Sequence, residues 1–135
     1  MNPLNPYEKY KENNVMTASP GEMVVMLFEE CVKVLKRGKI AIEEKDVPNA
    51  HKSLMKAQKI VLELINSLNF TYEISHSLFA HYEYIYHEII QCNMYKDGQR
   101  LEPIIKVMDE YAETWKEAVK IDRKNKHNQG DGSYV

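Results

Sequence analysis

The sequence is poor in the residues that carry covalent chemistry, cross-links or sharp chain breaks. Among 135 residues there are two cysteines, five glycines, five prolines and a single tryptophan. Two cysteines, Cys31 and Cys92, exclude a disulfide framework, and both fall on apolar helical stripes, where a buried free thiol is expected. The glycines Gly21, Gly38 and Gly98 stand apart from one another, so no phosphate-cradling loop is present. Charge of one sign is missing too. The formal net charge is −2, with acids and bases interspersed, which argues against nucleic acid as a partner. The longest apolar run, residues 23–28, is far short of the ~20 residues that span a bilayer, so membrane insertion is not expected. The opening MNPLNPYEKY has neither the basic nor the apolar region of a secretory signal. These absences leave a soluble, cytoplasmic protein without cofactors as the expectation.

What is present is helical periodicity. Ser19, Pro20 and Glu22 compose a helix start: a capping hydroxyl, a proline in the first turn, and a carboxylate three residues after the cap. The run Met23-Val24-Val25-Met26-Leu27-Phe28 follows, and at 100° per residue it covers every side of two turns. The first helix is predicted over residues 20–44, with a core stripe of Val24, Leu27, Phe28, Cys31, Val34, Leu35, Gly38 and Ile42. Lys45-Asp46 makes a turn, and Asp46 caps a second helix whose stripe is Val47, Ala50, Leu54, Ala57, Val61, Leu64, Ile65 and Leu68. Asn69-Phe70-Thr71 breaks the pattern. A third helix, 72–95, carries Ile74, Leu78, Tyr82, Ile85, Ile89 and Cys92. Lys96-Asp97-Gly98 is the next turn. A fourth helix, 99–120, carries Leu101, Ile104, Ile105, Met108, Ala112, Trp115 and Val119, with Pro103 required in its first turn.

Four helices joined by short connections predict an all-α, antiparallel up-down-up-down four-helix bundle with a short N-terminal cap segment. The chain divides into a cap or lid over 1–16, a bundle over 17–121 and a polar, disordered tail over 122–135. The cap segment carries Tyr7 and Tyr10 on one side of a single turn, together with Leu4, Val15 and Met16. Laid back on the bundle, it would be a lid that a partner displaces.

A bundle invites a di-metal carboxylate centre, which needs two Glu-x-x-His motifs and two further glutamates. This chain has one such motif, Glu73 and His76, on the side of its helix away from the core stripe. Glu83 and His87 are four apart and read as a surface pair. No nucleophile constellation is visible, so neither an enzyme nor a metal protein is expected. The feature that stands out is surplus apolar surface: Met23, Val25, Met26 and Val32 on the first helix, Met55 and Leu62 on the second, and Phe79, Tyr86 and Ile90 on the third. Methionine re-packs without a fixed shape, and such a surface suits an amphipathic helical partner.

Four segments resemble one known family, the flagellin-specific export chaperones (FliS). They are Tyr10-Lys11 with Thr17 to Glu22 and Met26-Leu27-Phe28; Ile42-Glu43-Glu44 with Asp46, Ala50-His51, Lys56 to Ile60 and Glu63-Leu64; Tyr72 to Ser75 with Tyr82 to Ile85; and Thr114 to Ala118. The resemblance runs over residues 7–120 in unbroken order, with Lys45 standing where a turn glycine is usual. It implies a cytoplasmic bundle that binds the C-terminal segment of flagellin, prevents premature polymerisation and delivers it to the flagellar type III export apparatus, whose components are then further partners. The alternative from another class is a non-catalytic adaptor that uses the same surface to dimerise. Monomer and homodimer both remain open at this point.

Overall fold

The computed structural model describes residues 20–129, so the expected lid, Tyr7 and Tyr10 included, and the capping Ser19 lie outside the described residues. Four helices follow one another: α1 (Pro20–Glu43), α2 (Val47–Asn66), α3 (Ile74–Tyr95) and α4 (Gly98–Gln129). Their connections are two to seven residues long, which forces each helix antiparallel to the one before it. In cross-section α1 lies beside α2 and α4, while α3 lies beside α2 and α4. The diagonal pairs meet through long side chains such as Phe28 and Tyr82. The predicted four-helix bundle is therefore the fold.

The turns follow from local chemistry. Lys45 takes φ 60°, the left-handed conformation that a glycine would adopt without steric cost. Asp46 then caps α2, its carboxylate accepting from the Asn49 backbone N–H at 3.2 Å, with Pro48 in the first turn where no N–H is needed. After α3 it is Lys96, with φ 51°, and not Gly98, that takes the left-handed cap. Gly98 instead opens α4, and Asp97 accepts from the Arg100 N–H at 3.1 Å. Pro103 consequently falls in the second turn of α4 rather than the first, on an exposed face.

The interior is built on Phe28, Leu35, Leu54, Ile60, Leu64, Tyr82, Ile85, Ile89, Leu101 and Met108, all essentially inaccessible. Phe28, Tyr82 and Tyr111 form an aromatic triangle with ring centroids 5.2–6.0 Å apart. His81 shares a hydrogen bond with Tyr111 beside this triangle. Burial removes both cysteines from thiolate chemistry: it pushes Cys31 up to about 12, helped by nearby Glu30, and Cys92 up to about 11.

Several positions depart from the periodicity. Val47 and Ile74, expected in the core, are 55% and 65% exposed, because each is the first residue of its helix and stands beyond the packed layers. Ser75 is buried in Ile74's stead, its hydroxyl donating to the Asn69 carbonyl at 2.6 Å. Ile60, outside the expected stripe, is fully buried. The expected disordered tail is helical to Gln129: Arg123 pairs with Glu22, so α4 continues alongside the start of α1. Residues 130–135 lie outside the described residues.

Candidate functional site

Ion pairs and hydrogen bonds fix which flank of each helix faces which neighbour. On α1, Glu22, Glu29 and Lys39 pair with Arg123, Lys116 and Glu102 of α4. Glu30, on the other flank, pairs with Lys56 of α2 at 3.4 Å. On α2, His51 meets the Asn93 side chain of α3 at 3.0 Å. On α3, Glu88 and His81 turn towards α4, the first accepting two bonds from the Arg100 guanidinium at 2.8 and 2.9 Å. That fork holds the Glu88 carboxyl below its ordinary range.

The apolar residues can now be placed by the 100° rule. Met55 and Leu62 lie four and eleven residues after His51, at +40° and +20° from it, so they share its α3-facing flank. Phe79, Tyr86 and Ile90 lie on the flank of α3 that carries Asn93, facing α2. Those five converge on the outer seam between α2 and α3. Met55 and Leu62 are 38% and 41% exposed, and the three α3 residues are half-buried. Among the described residues no other element lies over these two rows of partly exposed apolar side chains.

The four α1 residues do not join them. Val25 and Val32 are 8% and 7% exposed and belong to the packed interior on the α4 side, contrary to the expectation of a free flank. The reason is that α1 is closely packed by two neighbours, so its buried arc is wider than the stripe read from sequence. Met26 lines a shallow cleft of about 250 Å³ between α1 and α4, together with Val25, Val119 and the charged rim of Glu22, Glu29, Lys116, Lys120 and Arg123. Met23, seven residues before Glu30, lies on the α2-facing flank of α1 and is half-buried. Since the α1–α4 and α2–α3 seams are on opposite sides of the ring of helices, the nine residues divide between surfaces instead of forming one groove.

Sequence reasoning missed part of the exposed apolar surface. Phe70 and Tyr72, in the α2–α3 turn, are 46% and 65% exposed, and the Phe70 ring meets Phe79 at one end of the seam. A composition cue existed: two aromatic residues within three positions of a turn that otherwise reads as polar punctuation. Glu73, His76, Glu83 and His87 are exposed, and among the described residues no three His, Cys, Asp or Glu side chains gather as metal ligands. No described helix is long and apolar enough to cross a membrane.

Residues 3–122 match the family model described as Flagellar protein FliS. Over 126 residues the chain is 36% identical to the flagellar secretion chaperone FliS of Bacillus subtilis strain 168, covering 93% of this chain and 95% of that protein. It is 30% identical over 109 residues to the protein of the same name from Salmonella typhimurium, covering 78% and 81%. The fold is shared with a solved flagellar chaperone from bacteria at a TM-score of 0.71 and 21% identity, over 84% of this chain and 94% of that one.

Proposed function

The chain belongs to the FliS family of flagellar secretion chaperones, and from that premise we propose that its open α2–α3 seam receives the amphipathic C-terminal segment of flagellin. The observation that supports this reading is the placement of the partly exposed Met55, Leu62, Phe79, Tyr86 and Ile90 on the facing flanks of α2 and α3. The trough suits a helix. From Phe79 to Ile90 it runs roughly 16 Å along α3 at 1.5 Å per residue, about three turns of a client helix. Two adjacent bundle helices offer a valley into which the ridges of a third can pack.

Holding the client this way does two things. It covers the apolar face by which flagellin segments pair with one another, so polymerisation in the cytoplasm is prevented. It also leaves the client helical but unassembled, ready for the export apparatus. No bond is made or broken, and no cofactor or nucleotide takes part. Affinity comes from apolar area removed from water, and the flexible Met55 side chain tolerates small differences in client shape.

Calorimetry with a synthetic peptide from the flagellin C-terminus tests the proposal. Binding is expected with a negative heat-capacity change and with a gain of peptide helicity by circular dichroism. A flagellin lacking its C-terminal segment that binds as tightly as the intact protein sinks the assignment. A chain that self-associates tightly and ignores the peptide supports the dimerising adaptor instead.

A further inference from the structure

The turn between α2 and α3 exposes apolar side chains that neither the core nor the trough explains. Phe70 and Tyr72 are 46% and 65% exposed. A loose loop would fold such groups away or move them freely, but this turn is pinned. The Asn69 side-chain oxygen accepts from the Thr71 backbone N–H at 3.0 Å and from the Thr71 hydroxyl at 2.7 Å. The Asn69 carbonyl accepts from the Ser75 hydroxyl at 2.6 Å and from the Tyr72 N–H at 3.1 Å. Ser75 is itself buried, which ties the turn to the bundle. The exposed groups are thus presented on a fixed backbone, the arrangement that lowers the entropy lost on binding.

The cluster is also continuous with the trough. The Phe70 ring meets the Phe79 ring edge-on at 5.8 Å and the His76 ring at 5.2 Å. Phe79 is the last trough residue at that end of α3. A partner helix running along Met55, Leu62, Ile90, Tyr86 and Phe79 therefore reaches Phe70 next. Two side chains of one turn are far too little surface for a second copy of the chain, since a stable dimer needs on the order of 800 Å² from each partner.

Resting on the reading of the α2–α3 seam given above, we propose that Phe70 and Tyr72 form the end wall of the trough and hold the final turn of the client helix, fixing its register. A trough of flexible apolar side chains lets a helix slide by a turn at little cost. A rigid aromatic anchor at one end selects one register, as anchor residues do in other interfaces.

The experiment measures the affinity of a series of flagellin C-terminal peptides, shortened one helical turn at a time from each end. The chains compared are the wild type, Tyr72→Ser, the double variant Phe70→Ser/Tyr72→Ser, and Leu62→Ser. The turn variants are expected to bind the full peptide roughly tenfold more weakly. They should lose nothing further on peptides that lack the turn meeting the anchor, so the wild type and the variants converge there. Leu62→Ser should weaken every peptide. Equal losses on all peptides, or no loss on the full one, overturn the anchor. A Leu62→Ser chain that binds normally overturns the trough itself, which separates the two failures. Tyr72→Ser makes none of the ring pairs that join Phe70 to Phe79, so it remains informative if the double variant loses structure. A wild-type chain that sediments as a dimer and becomes monomeric in the double variant assigns the turn to a second copy and also overturns the anchor.

Discussion

The two seams on opposite sides of the bundle are built from the same kinds of residue and end up in opposite states. Along α1–α4, Val25 and Val32 are buried, and three ion pairs, Glu22–Arg123, Glu29–Lys116 and Lys39–Glu102, span almost the full length of α1. Along α2–α3, Met55, Leu62, Phe79, Tyr86 and Ile90 stay at least partly in solvent. What separates the seams is helix approach. α1 packs densely on both of its neighbours, whereas α3 packs less on α2 and least on α4. A helix held on two sides buries a wide arc; one held loosely leaves its flank for another partner. Apolar surplus in a sequence therefore marks width of burial at one seam and an open surface at the other.

The sharpest contrast is between the bundle interior and the open trough. Ile85 is fully buried and Leu62 is 41% exposed. Ile85→Ser opens a cavity and buries an unpaired hydroxyl, costing on the order of 4 kcal/mol and lowering the melting temperature by roughly 15 °C or more. Leu62→Ser should cost less than about 1 kcal/mol of stability, yet weaken flagellin-peptide binding by about tenfold, the scale of an interface anchor. Thermal melts and calorimetry on the same two proteins decide it. If both variants melt alike, the trough is part of the core.

A milder test sets one seam directly against the other. Val25→Ala removes two buried methyl-sized groups from the closed seam and should cost about 1.5 kcal/mol without touching peptide affinity. Met55→Ala, in the open seam and 38% exposed, should show the reverse: little change on melting and a measurable loss of affinity. Loss of affinity from Val25→Ala would mean that the α1–α4 cleft lined by Met26 also receives the client.

How far this division could be read in advance depends on the signal each part leaves. Helix number, order and turns were legible because Asp46, Lys45-Asp46 and Lys96-Asp97-Gly98 act locally. The stripes were legible where a helix has one neighbour on each side of a narrow arc, as with Leu54, Ala57, Val61 and Leu64. Periodicity could not tell Val25 from Leu62, since both flank a core stripe and only the spacing of the neighbouring helices buries the first and spares the second. It failed too at helix ends, where Val47 and Ile74 keep the right phase but have no layer to pack against. The end of α4 was hidden for a related reason: its helix past residue 121 is tied to Glu22, a contact 101 positions away in sequence. Five of the nine apolar candidates thus fall together on α2 and α3, and the turn at Phe70 went unread because turn residues carry no period.

The smallest effect expected concerns the ion pairs that make the closed seam look fastened. Glu29 and Lys116 are 3.1 Å apart, but their side chains are 48% and 41% exposed, so the attraction acts through water and holding two long side chains still offsets part of it. The hydrogen bond to Glu29 holds the Lys116 ammonium above its ordinary 10.5. A basic group raised in this way contributes its stabilisation fully below 10.5 and loses it as the pH climbs through the raised value. Across neutral pH the contribution is flat, so added salt is the better probe. Glu29→Gln should lower the melting temperature at low salt by no more than about 2 °C, and the two proteins should converge as sodium chloride rises and the Debye length falls to a few ångströms. If the variant instead melts far below the wild type at low salt and the gap closes only as sodium chloride rises, the ion pairs, and not Val25 and Val32, close the α1–α4 seam, and the difference between the two sides of the bundle is electrostatic in origin.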